Sequence, residues 1–228
     1  MSIIYKTTLK PGKLELIAPW LPAQPWYQGA DGGVPAPGTE LVKTGGFRLD
    51  DPEGEVGIEF MVATDISGGE PRHYLVPLTY RSAPLEGAEH ALIGETEHGV
   101  LGHRYVYDGT YDPVLQAELL ALLALRSDAQ MQSVGDTPDP TVTPLLSGPA
   151  LPAQAAVTAV EHGPDGTDLT VETPAFAPFT LHLVRVLRPE QSAPSGAAPR
   201  AQLTAEWCGG QEEERVRGLF AVLHPAAG

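Results

Sequence analysis

Twenty-five glycines and twenty-three prolines are spread through 228 residues, and that density constrains the fold more than any other feature of the chain. Proline fixes φ and removes a backbone donor, and glycine raises the entropic cost of ordering, so most stretches are interrupted before a helix can lengthen. Short strands joined by turns are the expected outcome. Hydrophobic residues make up 42% and charged residues 19%, which is the usage of a packed globular chain and not of a disordered one. The length falls between one large domain and two small ones.

Against 14 Lys and Arg stand 29 Asp and Glu, for a formal net charge of −15. Such a chain repels phosphate backbones and anionic lipid head groups, so neither nucleic acid nor a membrane is expected as a partner. The densest acidic run, Glu212-Glu213-Glu214, is followed at once by Arg215, which reads as a solvated coat. A single cysteine, Cys208, excludes an internal disulfide framework and a cysteine-built zinc site, and fits a reducing, cytoplasmic compartment. Beside Trp207 on a strand-like pattern, it is expected to be a small buried hydrophobe. The N-terminal MSIIYKTTLKPGK has no long apolar core, and no apolar stretch reaches the length of a bilayer.

Along the chain, Ser2 to Thr8 reads as a short strand. Pro11 suits the first turn of a helix with Leu14, Ile17, Ala18 and Leu21 on one face, stopped by Pro22 and Pro25. Gly29 to Gly38 is a loop. Three strand-like runs follow: Leu41 to Leu49, Glu55 to Thr64 with Val56, Ile58, Phe60 and Val62 on one side, and Arg72 to Tyr80. The period of two in the middle run marks a strand with one covered face. The links Asp51-Pro52-Glu53-Gly54 and Ser67-Gly68-Gly69-Glu70 are too short for parallel crossovers, which implies an antiparallel meander. After the Gly-, His- and Glu-rich stretch Arg81 to Gly109 comes the best helix, with Asp112 as N-cap and Pro113 at its first position. Leu115, Leu119 and Leu122 form its inner face, and Arg126 is placed in its last turn. Ser127 to Gln154 loses periodicity. Strand patterning resumes at Ala155 to Glu161, Leu169 to Thr173, Thr180 to Leu187, Ala201 to Trp207 and Val216 to Leu223, with a hairpin turn over His162 to Asp168 and an exposed loop over Pro189 to Pro199.

No phosphate-binding loop, nucleophile elbow or metal-binding His-Glu-x-x-His is spelled out. His162-Gly163-Pro164-Asp165 imitates the His-Gly-Asp of aminoglycoside-type kinases but displaces the Asp, lacks the Asn that follows and sits in a turn. A glycosidase pair of carboxylates cannot be picked from 29 acids, and a branching enzyme's barrel alone exceeds the chain. The constellation Glu86, Glu89, His90, Glu95, Glu97, His98, His103 and Asp108 is the one locally rich cluster, but its spacing is a weak metal signal and no metal or cofactor is expected. Trp20, Trp26 and Tyr27 either plug one end of the sheet or stack on sugar faces.

The Thr7 to Leu16 segment, Trp20-Leu21-Pro22, Pro25-Trp26-Tyr27, Phe47 to Glu59, Val76-Pro77-Leu78-Thr79-Tyr80-Arg81, Ala83-Pro84-Leu85 and Glu97 to Gly102 together resemble the maltokinase N-terminal cap family. The likeness is strongest over Ser2 to Ala124 and thins beyond to strand pattern and the Val184 to Pro189 run. It implies a cystatin-like cap of the kind that precedes a two-lobed kinase acting on maltose or an amino sugar. The resemblance carries no catalytic residue.

The expected fold is therefore α+β: a curved antiparallel sheet with both helices on one face, and late strands that extend it or form a second small sheet. Residues 1–133 are expected as a cap-like region, 134–154 as a linker or long loop, and 155–228 as a β region packed on the first. The expected function is a non-catalytic accessory or interaction protein of trehalose, maltose or glycogen metabolism, with a sugar kinase or α-glucan enzyme as partner. The alternatives are a module binding maltooligosaccharide or an amino sugar, and a cryptic sugar-metabolising enzyme. Candidate ligand-binding residues are Trp20, Trp26, Tyr27, Arg81, His98 and His103.

Overall fold

The computed structural model describes residues 9–29, 40–68, 70–132, 135, 137–149, 151–174, 176–190, 198–209 and 214–226. The expected Ser2 to Thr8 strand, most of the Gly29 to Gly38 loop, the middle of the Pro189 to Pro199 loop, and Glu212 and Glu213 lie outside them. In chain order the elements are β1 (Leu9–Lys10), α1 (Lys13–Trp20), β2 (Leu41–Leu49), β3 (Gly57–Asp65), β4 (Arg72–Arg81), β5 (Leu92–His98), β6 (Gly102–Asp108) and α2 (Pro113–Leu123). They continue with β7 (Thr143–Leu146), β8 (Ala156–Gly163), β9 (Gly166–Glu172), β10 (Phe179–Leu183), β11 (Val186–Leu187), β12 (Ala201–Cys208) and β13 (Arg215–Pro225).

All of these strands join one antiparallel sheet in the order β1-β5-β6-β4-β3-β2-β12-β13-β10-β9-β8, with β7 on β12 and β11 on β4. The late strands thus extend the first sheet and do not build a second. The sheet is open at its two ends, but its middle turns back on itself. Val184 and Arg185 carry the chain from β10 to β11; the Val184 amide donates to Phe220 of β13, and Arg185 accepts from the Leu75 amide of β4, each at 2.9 Å. Backbone bonds therefore run in a ring through β4, β3, β2, β12, β13 and the β10–β11 segment. β6 and β11 share one side of β4.

The expected meander β2-β3-β4 is present, but β3 is covered on both faces. Ile58, Phe60 and Val62 enter the main core with Phe47, Leu49 and Leu75, while Met61 and Ala63 join a second core with Tyr74, Val76 and Leu78. The helices accordingly lie on opposite sides, which corrects their expected placement on one face. Leu115, Leu119 and Leu122 of α2 pack into the main core, together with Leu120 and Leu123. Ile17 of α1, with Leu21 and Trp26 beyond it, packs into the second.

Local details differ from expectation for physical reasons. Pro11 precedes α1; Gly12 is the N-cap, and its amide donates to Glu15 Oε2 at 2.6 Å. Asp112 caps α2 through the Val114 amide as expected. Arg126 lies past the end of α2, because Leu125 takes a left-handed φ of 58° and closes the helix, and Arg126 Nη1 instead reaches the Leu151 carbonyl. The Arg81 to Gly109 stretch holds the β5–β6 hairpin, and the expected linker holds β7. Cys208 is half-buried, on the side of β12 away from fully buried Trp207.

Candidate functional site

Where β6 leaves β4 and β11 takes its place, the sheet branches, and backbone groups there cannot all be met by neighbouring strands. Arg185 fills that point. Its side chain is fully buried, an uncommon position for an arginine unless every donor has a partner. Nη2 donates to Asp108 Oδ1 and Oδ2 at 2.9 and 2.7 Å and to Thr110 Oγ1 at 3.3 Å. Nε donates to Thr167 Oγ1 at 2.7 Å, and Nη1 reaches the Leu75 carbonyl at 3.4 Å. The guanidinium lies 5.0 Å from the Trp26 ring centroid, a cation–π contact inside the core.

The polarity of the next bond follows from that donor. Because Arg185 Nε gives its proton to Thr167 Oγ1, the hydroxyl proton is free to go to His162 Nδ1, 2.8 Å away. Neutral His162 then carries its proton on Nε2, which faces Asp108 Oδ2 at 3.9 Å. Burial pushes the His162 pKa down, more than the Asp108 carboxylate pulls it up. Outside lies a row of rings: His90 meets Tyr111 edge-on at 4.5 Å, and Tyr111 meets His162 at 5.5 Å. The sequence imitation of a kinase motif is thus the β8–β9 hairpin turn, closed by the Gly163–Gly166 pair.

A second carboxylate, Glu59, sits 4% exposed on the α1 side of β3. Oε1 accepts from Lys43 Nζ at 2.9 Å and Gln132 Nε2 at 3.1 Å; Oε2 accepts from Tyr80 at 2.9 Å and from Lys13 Nζ. Burial alone raises the pKa of this group, but the two ammonium groups outweigh it and hold Glu59 at about 2. A carboxyl whose folded pKa is depressed contributes stability that is complete above its ordinary value near 4.5 and lost as pH falls towards 2. That contribution is roughly 3 kcal/mol at neutral pH. Glu59→Gln is therefore expected to flatten the loss of unfolding free energy on acidification through that window. A variant whose acid limb matches the parent's removes Glu59 from this role.

The other expected site residues divide. Trp26 is fully buried, with Trp20 edge-on at 5.8 Å and Tyr74 at 6.0 Å. Trp20 and Tyr27 are half-buried, and Tyr27 donates to Asp65 at 3.0 Å. Arg81 grips the N-cap carboxylate of Asp112 with two bonds of 2.6 Å, tying the end of β4 to α2. His98 and His103 occupy the β5–β6 hairpin. His98 Nδ1 accepts from the Val100 and Leu101 amides at 3.3 and 3.0 Å. His103 sits between Glu97 at 2.8 Å and Glu95 at 3.0 Å, and its hydrogen bond to Glu97 leads in raising its pKa. The rich acidic and histidine cluster therefore divides: Glu95, Glu97 and His103 stay together on the hairpin, while Asp108 lies at the branch point and His90 on Tyr111. Among the described residues, no group of three or more His, Cys, Asp and Glu could hold a metal ion, and no helix is long and apolar enough to cross a membrane.

Sequence reasoning did not single out Arg185, Thr167 or Glu59. Two of the chain's four lysines, Lys13 and Lys43, converge on Glu59 from 46 and 16 residues away, a pairing that local spacing does not signal. No curated protein matches the chain significantly. The family model for the maltokinase N-terminal cap domain matches residues 20–112, from the end of α1 through the α2 N-cap. Through that segment, about two fifths of its length, the chain is similar to the maltokinase N-terminal cap domain family.

Proposed function

We propose that this protein is a non-catalytic accessory module of maltokinase-type α-glucan metabolism, acting in the cytoplasm by docking onto a sugar kinase or another α-glucan enzyme. The observation that carries the reading is the β5–β6 hairpin tip, inside the family-matched segment. Val100 and Leu101 lie side by side there, 59% and 42% exposed. The tip is braced from within: His98 accepts from both amides, Gly102 supplies a left-handed φ of 72°, and Thr96 donates to the Pro11 carbonyl at 2.7 Å. A braced turn that holds two aliphatic side chains in water gains by covering them against another surface. The charged groups support the same reading, since Arg185 pairs with Asp108, Arg81 with Asp112, and Glu59 with Lys13 and Lys43.

The test uses purified protein and a purified maltokinase catalytic domain that lacks its own cap, titrated by calorimetry. A saturable complex is expected, and the exposed double variant Val100→Asp/Leu101→Asp is expected to weaken it by at least about tenfold, the loss from burying two charges in an apolar contact. No heat at high micromolar protein, or binding that ignores the double variant, overturns the proposal. Titration with maltooligosaccharides is expected to leave tryptophan fluorescence flat, because Trp26 and Trp207 are fully buried and half-buried Trp20 packs edge-on against Trp26; a saturable change favours the carbohydrate-binding alternative.

A further inference from the structure

The two ends of the sheet are finished differently. At one end, β1 includes Lys10 and runs into Pro11. A lysine and a proline are both means by which folds blunt an exposed edge. At the other end, β8 is eight residues long and pairs with β9 along one side. Among the described residues its other side has no backbone partner. The run Ala155-Ala156-Val157-Thr158-Ala159-Val160 contains no charge, lysine or proline, and Ala156, Thr158 and Ala159 are exposed. On a chain of net charge −15, an uncharged edge of small side chains is where a second, equally acidic copy can approach at least electrostatic cost.

We propose that β8 pairs antiparallel with β8 of a second copy of this chain about a two-fold axis at Thr158, joining two sheets end to end. In a two-fold contact, residue i faces j while j faces i. With the axis at Thr158, Val157 faces Ala159, Ala156 faces Val160, and Glu161 faces Ala155, so the Glu161 carboxylates are not set against each other. The bulge between Val157 and Ala159 leaves Thr158 without a partner on β9, so the residue on the axis is one that its own hairpin does not use. Main-chain bonds supply the affinity, as in other cases of strand addition.

Light scattering on a sizing column, over a series from low to high micromolar, is expected to show a concentration-dependent mass approaching twice 24.1 kDa. Thr158→Lys and Thr158→Asp each place like charges across the axis and are both expected to run as monomers with unchanged circular dichroism. Mixing the two sets opposite charges across the axis and is expected to restore the dimer, a rescue that misfolded variants cannot give. A monomer at every concentration overturns the proposal and means that the bulge suffices to blunt the edge. A dimer indifferent to both variants, or a mixture that stays monomeric, overturns it equally. Because Val100 and Leu101 take no part in this contact, the result is independent of kinase docking.

Discussion

Replacing Arg185 by methionine is expected to destabilise the protein by about 3–5 kcal/mol, the usual cost of removing one partner of a buried ion pair. Asp108, 2% exposed, is left without its cation at the branch of the sheet. Thr167 and the Leu75 carbonyl lose a donor, and Trp26 loses the guanidinium against its face. The denaturant midpoint should fall accordingly, and the melting temperature by on the order of 10 °C. The double variant Arg185→Met/Asp108→Leu is expected to regain much of the loss, because an apolar pair of similar volume avoids the stranded charge. Equal stability of Arg185→Met and the parent would remove the pair from its assigned role.

Gly46→Ala is expected to be at least as damaging, at about 4 kcal/mol or more, or to prevent recovery of folded protein. Gly46 has a φ of +119°, and a β-carbon there would lie 2.0 Å from the Phe60 carbonyl oxygen and 3.0 Å from the Met61 α-carbon. Both obstacles are backbone of the neighbouring strand β3, which cannot swing aside as a side chain can. Gly54→Ala is the control: φ is +74° but nothing lies within 4 Å, so the expected cost is the left-handed backbone penalty alone, about 1 kcal/mol. Comparable losses in the two variants would mean that the close strand approach at Gly46 is not limiting.

The meander and α2 were legible because their signals are local. Asp112-Pro113 marks a helix start by its chemistry, and the alternation of Ile58, Phe60 and Val62 marks a strand. The sides of the sheet were not legible. Periodicity tells which stripe of α1 or α2 is apolar, but not which face of β3 receives it, and Met61 and Ala63 on the second face blend into the same apolar run. The β5–β6 hairpin escaped notice because much of its surface stays in water: Glu95, Glu97 and His103 are exposed, so no covered face imposes a clean alternation. Arg185 was hidden by its type, since an arginine in a strand-like run reads as surface. Among the candidate ligand residues, Trp26 and Arg81 have internal partners that lie far away in sequence, at Arg185 and Asp112, and such pairings leave no trace in local spacing.

The ring of strands has a further consequence for what counts as a unit here. Residues 20–112 match the family model, yet β2 finds a neighbour at Trp207, β4 at Val186 and Leu187, and Asp108 its counter-charge at Arg185. A polypeptide ending after the recognised segment would keep the signature but strand an acid in its interior and bare two edges. The stretch that inheritance marks and the stretch that can stand alone are, in this protein, different lengths of chain.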